Sequence, residues 1–87
     1  MCTYTTEKIE ITGSGKGAQG WFTLTDATVY FDHPVHAMAE HTLNIDFRNP
    51  AHGPAARVAV ELTAESARTL VAAIEAALAA VPAALAS

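Results

Sequence analysis

The stretch "RVAVELTAESARTLVAAIEAALAAVP" (57–82) changes its apolar period once, and that change decides the fold. Up to residue 62 the period is two: Val58, Val60 and Leu62 point one way, as in a strand with one buried face. Beyond it the period is helical, and Ala67, Leu70, Val71, Ile74, Leu78 and Val81 form a single stripe. Thr63 stands where a helix N-cap belongs, and Glu65 falls in the first turn, where a negative charge meets the positive end of the helix dipole. Pro82 limits the helix to 64–80 and leaves 82–87 as a loosely ordered tail. The opposite helix face, Ala72, Ala76 and Ala79, is smooth and almost uncharged.

Upstream, only strands precede this helix. "HTLNIDFRN" (41–49) alternates, with His41, Leu43, Ile45 and Phe47 on one side and Thr42, Asn44, Asp46 and Arg48 on the other. "PAHGPAA" (50–56) turns the chain into the strand at 57–63. "WFTLTDATVYFDH" (21–33) is the most β-prone segment, and its apolar parity switches between Leu24 and Ala27. A one-residue bulge near Thr25–Asp26 puts both sets on one face; without it, the strand lies between two layers. "TYTTEKIEIT" (3–12) reads as the first strand. The expectation is one α+β domain over 1–87: a four-stranded, mainly antiparallel sheet with one C-terminal helix packed on one face, in the order ββββα. Ile45, Phe47, Val58, Val60, Leu70, Val71 and Ile74 are the expected core. Strand order stays open.

Between the first two strands, "GSGKGAQG" (13–20) carries four of the five glycines. Gly15, Gly17 and Gly20 fit G-x-G-x-x-G, but a dinucleotide loop must open a helix and this one opens "WFTLT". A P-loop fails as well, because Gly17 follows Lys16 where Ser or Thr is required. A flexible hairpin loop is expected, with no nucleotide.

Composition narrows the function classes. The 87 residues are 51% hydrophobic and carry a net charge of −4, which describes a folded chain and not a disordered one. The five cations, Lys8, Lys16, Arg48, Arg57 and Arg68, are scattered through the chain. Nucleic acid and anionic membranes both require clustered positive charge, so neither is an expected partner. Cys2 is the only cysteine, which rules out an intrachain disulfide and fits a reducing compartment. No secretory pattern opens the chain, and 67–86 is too rich in alanine and too interrupted to span a bilayer. The expected location is the cytoplasm.

Tyr4, Trp21 and Tyr30 need cover that one helix cannot give to both sheet faces. So small a core also gains from further burial. A homo-oligomer is therefore expected, with a dimer favoured, built from the second sheet face or the alanine face of the helix.

The chemistry concentrates in "FDHPVHAMAEH" (31–41). If His33 pairs with His41 across a hairpin, Phe31 meets Leu43, Val29 meets Ile45 and Ala27 meets Phe47, a register that gathers the apolar residues on one face. The two imidazoles then stand opposite each other, with Cβ atoms about 4.5–5.5 Å apart. His36 in the loop is the third candidate ligand, and Glu40 offers a carboxylate. Such a donor set suits a divalent transition metal: Zn, Fe, Cu or Ni. The competing reading is a polar hairpin end whose histidines bond to backbone and water, since H-x2-H-x4-H is no established metal spacing. His52, in the "AHGP" turn, reads as a solvated loop residue. Cys2 is a further thiol donor if the first strand runs alongside. The main functional expectation is a metal-binding protein or metal-dependent enzyme using this histidine hairpin. The alternative is a small-molecule or protein binding module without metal, its pocket lined by Trp21, Tyr30 and apolar neighbours.

The segments "MCTYTTEKIEITGSGKGAQGWF", "TDATVYFDHPVHA" and "HTLNIDFRNP" together resemble a family of small uncharacterised actinobacterial proteins, a domain of unknown function. The resemblance covers nearly the whole chain. It implies a cytoplasmic bacterial setting and carries no activity, ligand or site residue.

Overall fold

A computed structural model describes residues 4–86. Four strands, β1 (Thr6–Gly17), β2 (Gly20–Asp32), β3 (Thr42–Arg48) and β4 (Arg57–Leu62), are followed by a single helix, α1 (Ala64–Ala79). The sheet is an antiparallel meander in the order β1-β2-β3-β4. One turn of 3-10 helix, Pro50–His52, links β3 to β4, and another, Ala83–Leu85, follows Pro82. The expected ββββα architecture is the observed one.

The β2–β3 register is the one that apolar alternation requires: Ala27 opposite Phe47, Val29 opposite Ile45, Phe31 opposite Leu43. β4 continues the rows with Val58, Val60 and Leu62. Direct cross-strand partners share a face, so these nine residues make one apolar surface and Tyr30, Asn44, Asp46, Arg57 and Glu61 lie on the polar one. The parity change in β2 is accommodated without a bulge in β2 itself. The extra residue sits in β1, between Glu10 and Gly13, and β2–β3 pairing ends at Asp26–Arg48. Beyond that point Leu24 gathers with Phe47 and Val58 around a small cleft, so both apolar sets reach the same side.

Asn49 stabilises this corner. It is buried, its Nδ2 donates to the Thr23 carbonyl at 2.9 Å, and its Oδ1 accepts from the Ala51 amide at 3.2 Å. One side chain thereby joins the end of β3 to β2 and caps the following turn.

The glycine stretch is not a loop. β1 runs through Gly13, Gly15 and Gly17, and only Ala18 and Gln19 turn the chain. The hairpin tip curls over the apolar face toward β4, where a side chain at Gly15 would lie 3.3 Å from Leu24 and 3.4 Å from Val58. At Gly17 it would lie 3.1 Å from Phe22 and 3.5 Å from the Arg57 carbonyl. These glycines permit close approach of two layers of chain.

α1 begins as the sequence predicts, with the Thr63 hydroxyl accepting from the Ser66 amide at 3.1 Å. Its packing differs from expectation. It packs mainly against β3 and β4, and no helix residue is fully buried. Leu70, Val71 and Ile74 remain 42%, 55% and 50% exposed, and Ile45, Phe47, Val58 and Val60 are only half-buried. The fully covered positions are instead Ala27, Ala56, Thr42, Asn44 and Asn49. The stripe points toward the sheet but stands off from it. The helix-spaced pattern specifies which face is apolar and not how closely that face approaches the sheet.

Candidate functional site

Three features converge at the end of the sheet where β2 passes into β3. The first is the histidine pair. Asp32 pairs with Thr42, and the next residues outward, His33 and His41, stack with ring centroids 4.6 Å apart and planes 26° apart. His41 also stacks on Phe31 at 5.9 Å and meets the edge of Tyr4 at 5.8 Å. The Nδ1 of His33 lies 2.9 Å from the Glu40 carbonyl oxygen. That oxygen can only accept, so Nδ1 carries the proton, and in a neutral ring Nε2 then holds the lone pair.

The second is the loop between the strands, which is anchored rather than free. The Glu61 carboxylate on β4 accepts backbone N–H groups from Val35, from His36 at 3.0 Å and from Ala37 at 3.0 Å. The Val35 amide first, then those of His36 and Ala37, hold the Glu61 carboxyl below the usual carboxylate range. The loop is thereby drawn over the polar face and roofs a cleft of about 580 Å³ walled by Tyr30, Asn44, Asp46, Arg57 and Glu61. Within it Asp46 accepts from Arg57 Nη2 at 2.6 Å and from the Tyr30 hydroxyl at 3.4 Å. Burial first, then the Asp46 charge and hydrogen bond, raise the Tyr30 phenol above its ordinary range. Thr42 and Asn44, both covered, bond to each other at 2.7 Å. No buried side-chain nitrogen or oxygen among the described residues lacks a partner.

His33 and His41 stand together as the register predicts, and His33 and His36 both line the roofed cleft on the polar face. Glu40 offers His33 its backbone carbonyl. Among the described residues no group of three or more His, Cys, Asp or Glu side chains is placed to hold a metal ion. Cys2 lies outside the described residues, and His52 is exposed beyond the opposite end of β3. Trp21 and Tyr30 do not share a pocket: Trp21 lies in the β1–β2 hairpin beside Phe22 and His52, whereas Tyr30 faces the roofed cleft.

The third feature was not legible in the sequence. Between α1 and the apolar sheet face runs an open cleft of about 490 Å³. Val29, Phe31, Leu43, Ile45 and Leu62 form its floor, Leu70, Val71 and Ile74 its helical wall, and Arg68 is its one charged lining residue. The helical stripe signals the wall, but its distance from the floor has no signature in a one-dimensional pattern.

A curled antiparallel meander with an apolar helix standing off it and a clamped hairpin loop defines a small α+β protein with a polar cleft on one sheet face and an apolar cleft on the other. The chain belongs to the family of unknown function DUF6295, whose model matches residues 1–87. No curated protein and no solved structure matches it. No helix among the described residues is long and apolar enough to cross a membrane.

Proposed function

We propose that the protein is a binding module that works through the apolar cleft between α1 and the sheet. The observation that carries this reading is a continuous apolar floor and wall around about 490 Å³ of open space. A monomer that had finished folding would close such a gap, because each Å² of apolar surface left in water forfeits roughly 25 cal/mol. The polar cleft supports the reading by contrast: its Tyr30, Asp46, Arg57 and Glu61 groups already satisfy one another or the loop. The single cysteine and the acidic balance fit a cytoplasmic site of action.

The test measures solution mass and uptake of a fluorescent apolar dye on the same sample. A cleft filled by dye in a monomer, or by protein in an assembly, supports the reading. A folded monomer that takes up no dye contradicts it.

A second reading is favoured by one observation. The His33 Nδ1–H is tied to a backbone carbonyl and its Nε2 is left as a free donor atom, which is how metal-ligating imidazoles are commonly held. In this reading His33 and His41 form half of a divalent transition-metal site (Zn, Fe, Cu or Ni), completed by His36, Glu40 or a second subunit. Binding of Zn that is lost in both His33→Ala and His41→Ala supports it. Equal affinity in all three proteins ends it.

A further inference from the structure

The chain leaves far more surface in water than its mass requires. A compact monomer of 9.1 kDa exposes about 4,900 Å², whereas this one exposes 6496 Å². Its radius of gyration is 14.4 Å, against roughly 12 Å for a compact chain of this length. The excess is about 1,600 Å² on one chain, twice the roughly 800 Å² that a standard interface covers on each partner and within the roughly 1,000–2,500 Å² per partner of obligate homodimers. The uncovered surface is of the size that a homodimer buries.

Charge on α1 identifies the occupant. Beyond its first turn the helix carries two charged residues, Arg68 and Glu75. They are seven positions apart, so they lie on the same flank of the apolar stripe but about 10 Å from each other along the axis, too far to pair within the helix. Neither forms an ion pair among the described residues. They also lie at equal distances on either side of the midpoint of Ala64–Ala79. When two identical helices run antiparallel, each flank meets its own counterpart. A two-fold axis at the helix midpoint then brings each Arg68 against a Glu75. Parallel pairing would set this flank against the opposite, uncharged one and bring no such pair together.

We propose that a second copy of this chain covers the cleft, its helix antiparallel to α1, with Arg68 facing Glu75 of the partner subunit and Glu75 facing Arg68 of the partner subunit. Val71, next to the two-fold axis and half-exposed in the single chain, lies at the centre of this interface. The inference rests on the apolar cleft being the working surface and names what fills it.

Sedimentation equilibrium at micromolar concentration tests it. The wild-type mass is expected at about twice 9.1 kDa. Val71→Asp is expected at the single-chain mass with an unchanged far-ultraviolet circular dichroism spectrum, because the position is half-exposed before assembly. Arg68→Glu and Glu75→Arg each turn two attractive pairs into repulsive ones and weaken the dimer on the order of 10-fold. An equimolar mixture of these two variants restores association, since every pair across the mixed dimer is again of opposite sign. A monomeric wild type overturns the inference; dye uptake by that monomer keeps the cleft reading and gives it a small apolar ligand, and no uptake ends both. A dimer indifferent to Val71→Asp, or variants that fail to recover on mixing, also overturns the inference.

Discussion

His33 and His41 stack face to face across the β2–β3 hairpin, 4.6 Å between ring centroids, and His41 extends the stack onto Phe31. This arrangement makes His41 the packing member of the pair, because it alone touches Phe31, Tyr4 and His33 together. His41→Ala is expected to lower stability by about 1 kcal/mol or more, and His33→Ala by less. Urea denaturation of both variants beside wild type measures the difference. Equal losses would contradict the assignment.

Glu61 holds the hairpin loop from 24 to 26 residues away through three backbone amides. Its carboxyl is held below the ordinary value of 4.5, so the folded loop takes up a proton less readily than the unfolded chain. The contribution is present above about that pH and is lost as pH falls through the lowered value. Amide hydrogen exchange at Val35, His36 and Ala37 should accelerate in Glu61→Gln at neutral pH. In the wild type it should do so, beyond the intrinsic pH dependence of exchange, only on acidification below the usual glutamate range. Unchanged protection in the variant would remove Glu61 as the anchor.

Asp46 is shared between Arg57 and the Tyr30 hydroxyl. Burial is the first cause of the raised Tyr30 phenol and Asp46 the next, so Asp46→Asn should lower it part of the way back. The proton is bound more tightly in the folded state. Its stabilising contribution is therefore full below about pH 10 and is lost as pH rises through the raised value. Tyrosinate absorbance in a Tyr4→Phe background follows Tyr30 alone. A titration that Asp46→Asn leaves in place would contradict the coupling.

The glycines of β1 should differ sharply. A methyl at Gly17 meets Phe22 at 3.1 Å and the Arg57 carbonyl at 3.5 Å, whereas one at Gly13 meets nothing within 4 Å. Gly17→Ala is expected to cost about 1–2 kcal/mol. Gly13→Ala should be neutral or stabilising by up to about 1 kcal/mol, through the reduced freedom of the unfolded chain. Thermal denaturation of the two variants decides the matter; equal effects would mean the hairpin tip does not approach β4.

The sheet was legible because Leu43, Ile45 and Phe47 alternate cleanly and only one register sets them against Phe31, Val29 and Ala27. The helix was legible to within a residue because Thr63 and Pro82 bound an uninterrupted stripe. Gly13, Gly15 and Gly17 were misleading, since glycine marks a loop and a close approach of backbones equally well, and only the curl of the hairpin distinguishes them. The partners of Glu61 were invisible because they are main-chain amides, and backbone leaves no residue-type signal. That clamp is what brings His36 and the rest of the loop over the polar cleft. The half-open state of Leu70, Val71 and Ile74 was hidden for a similar reason: periodicity gives the direction of a face and not its distance from its neighbour.

The central claim, that a second copy covers the cleft, is tested most directly by the solvent accessibility of the cleft methyls in solution. With a soluble paramagnetic agent, the methyl resonances of Leu70, Val71 and Ile74 should be protected, although these residues are about half-exposed in the single chain. Met38, fully exposed in the loop, supplies the unprotected reference. Protection that disappears in Val71→Asp at the remaining Leu70 and Ile74 methyls is the predicted result. Broadening of those wild-type methyls comparable to that of Met38 would contradict it.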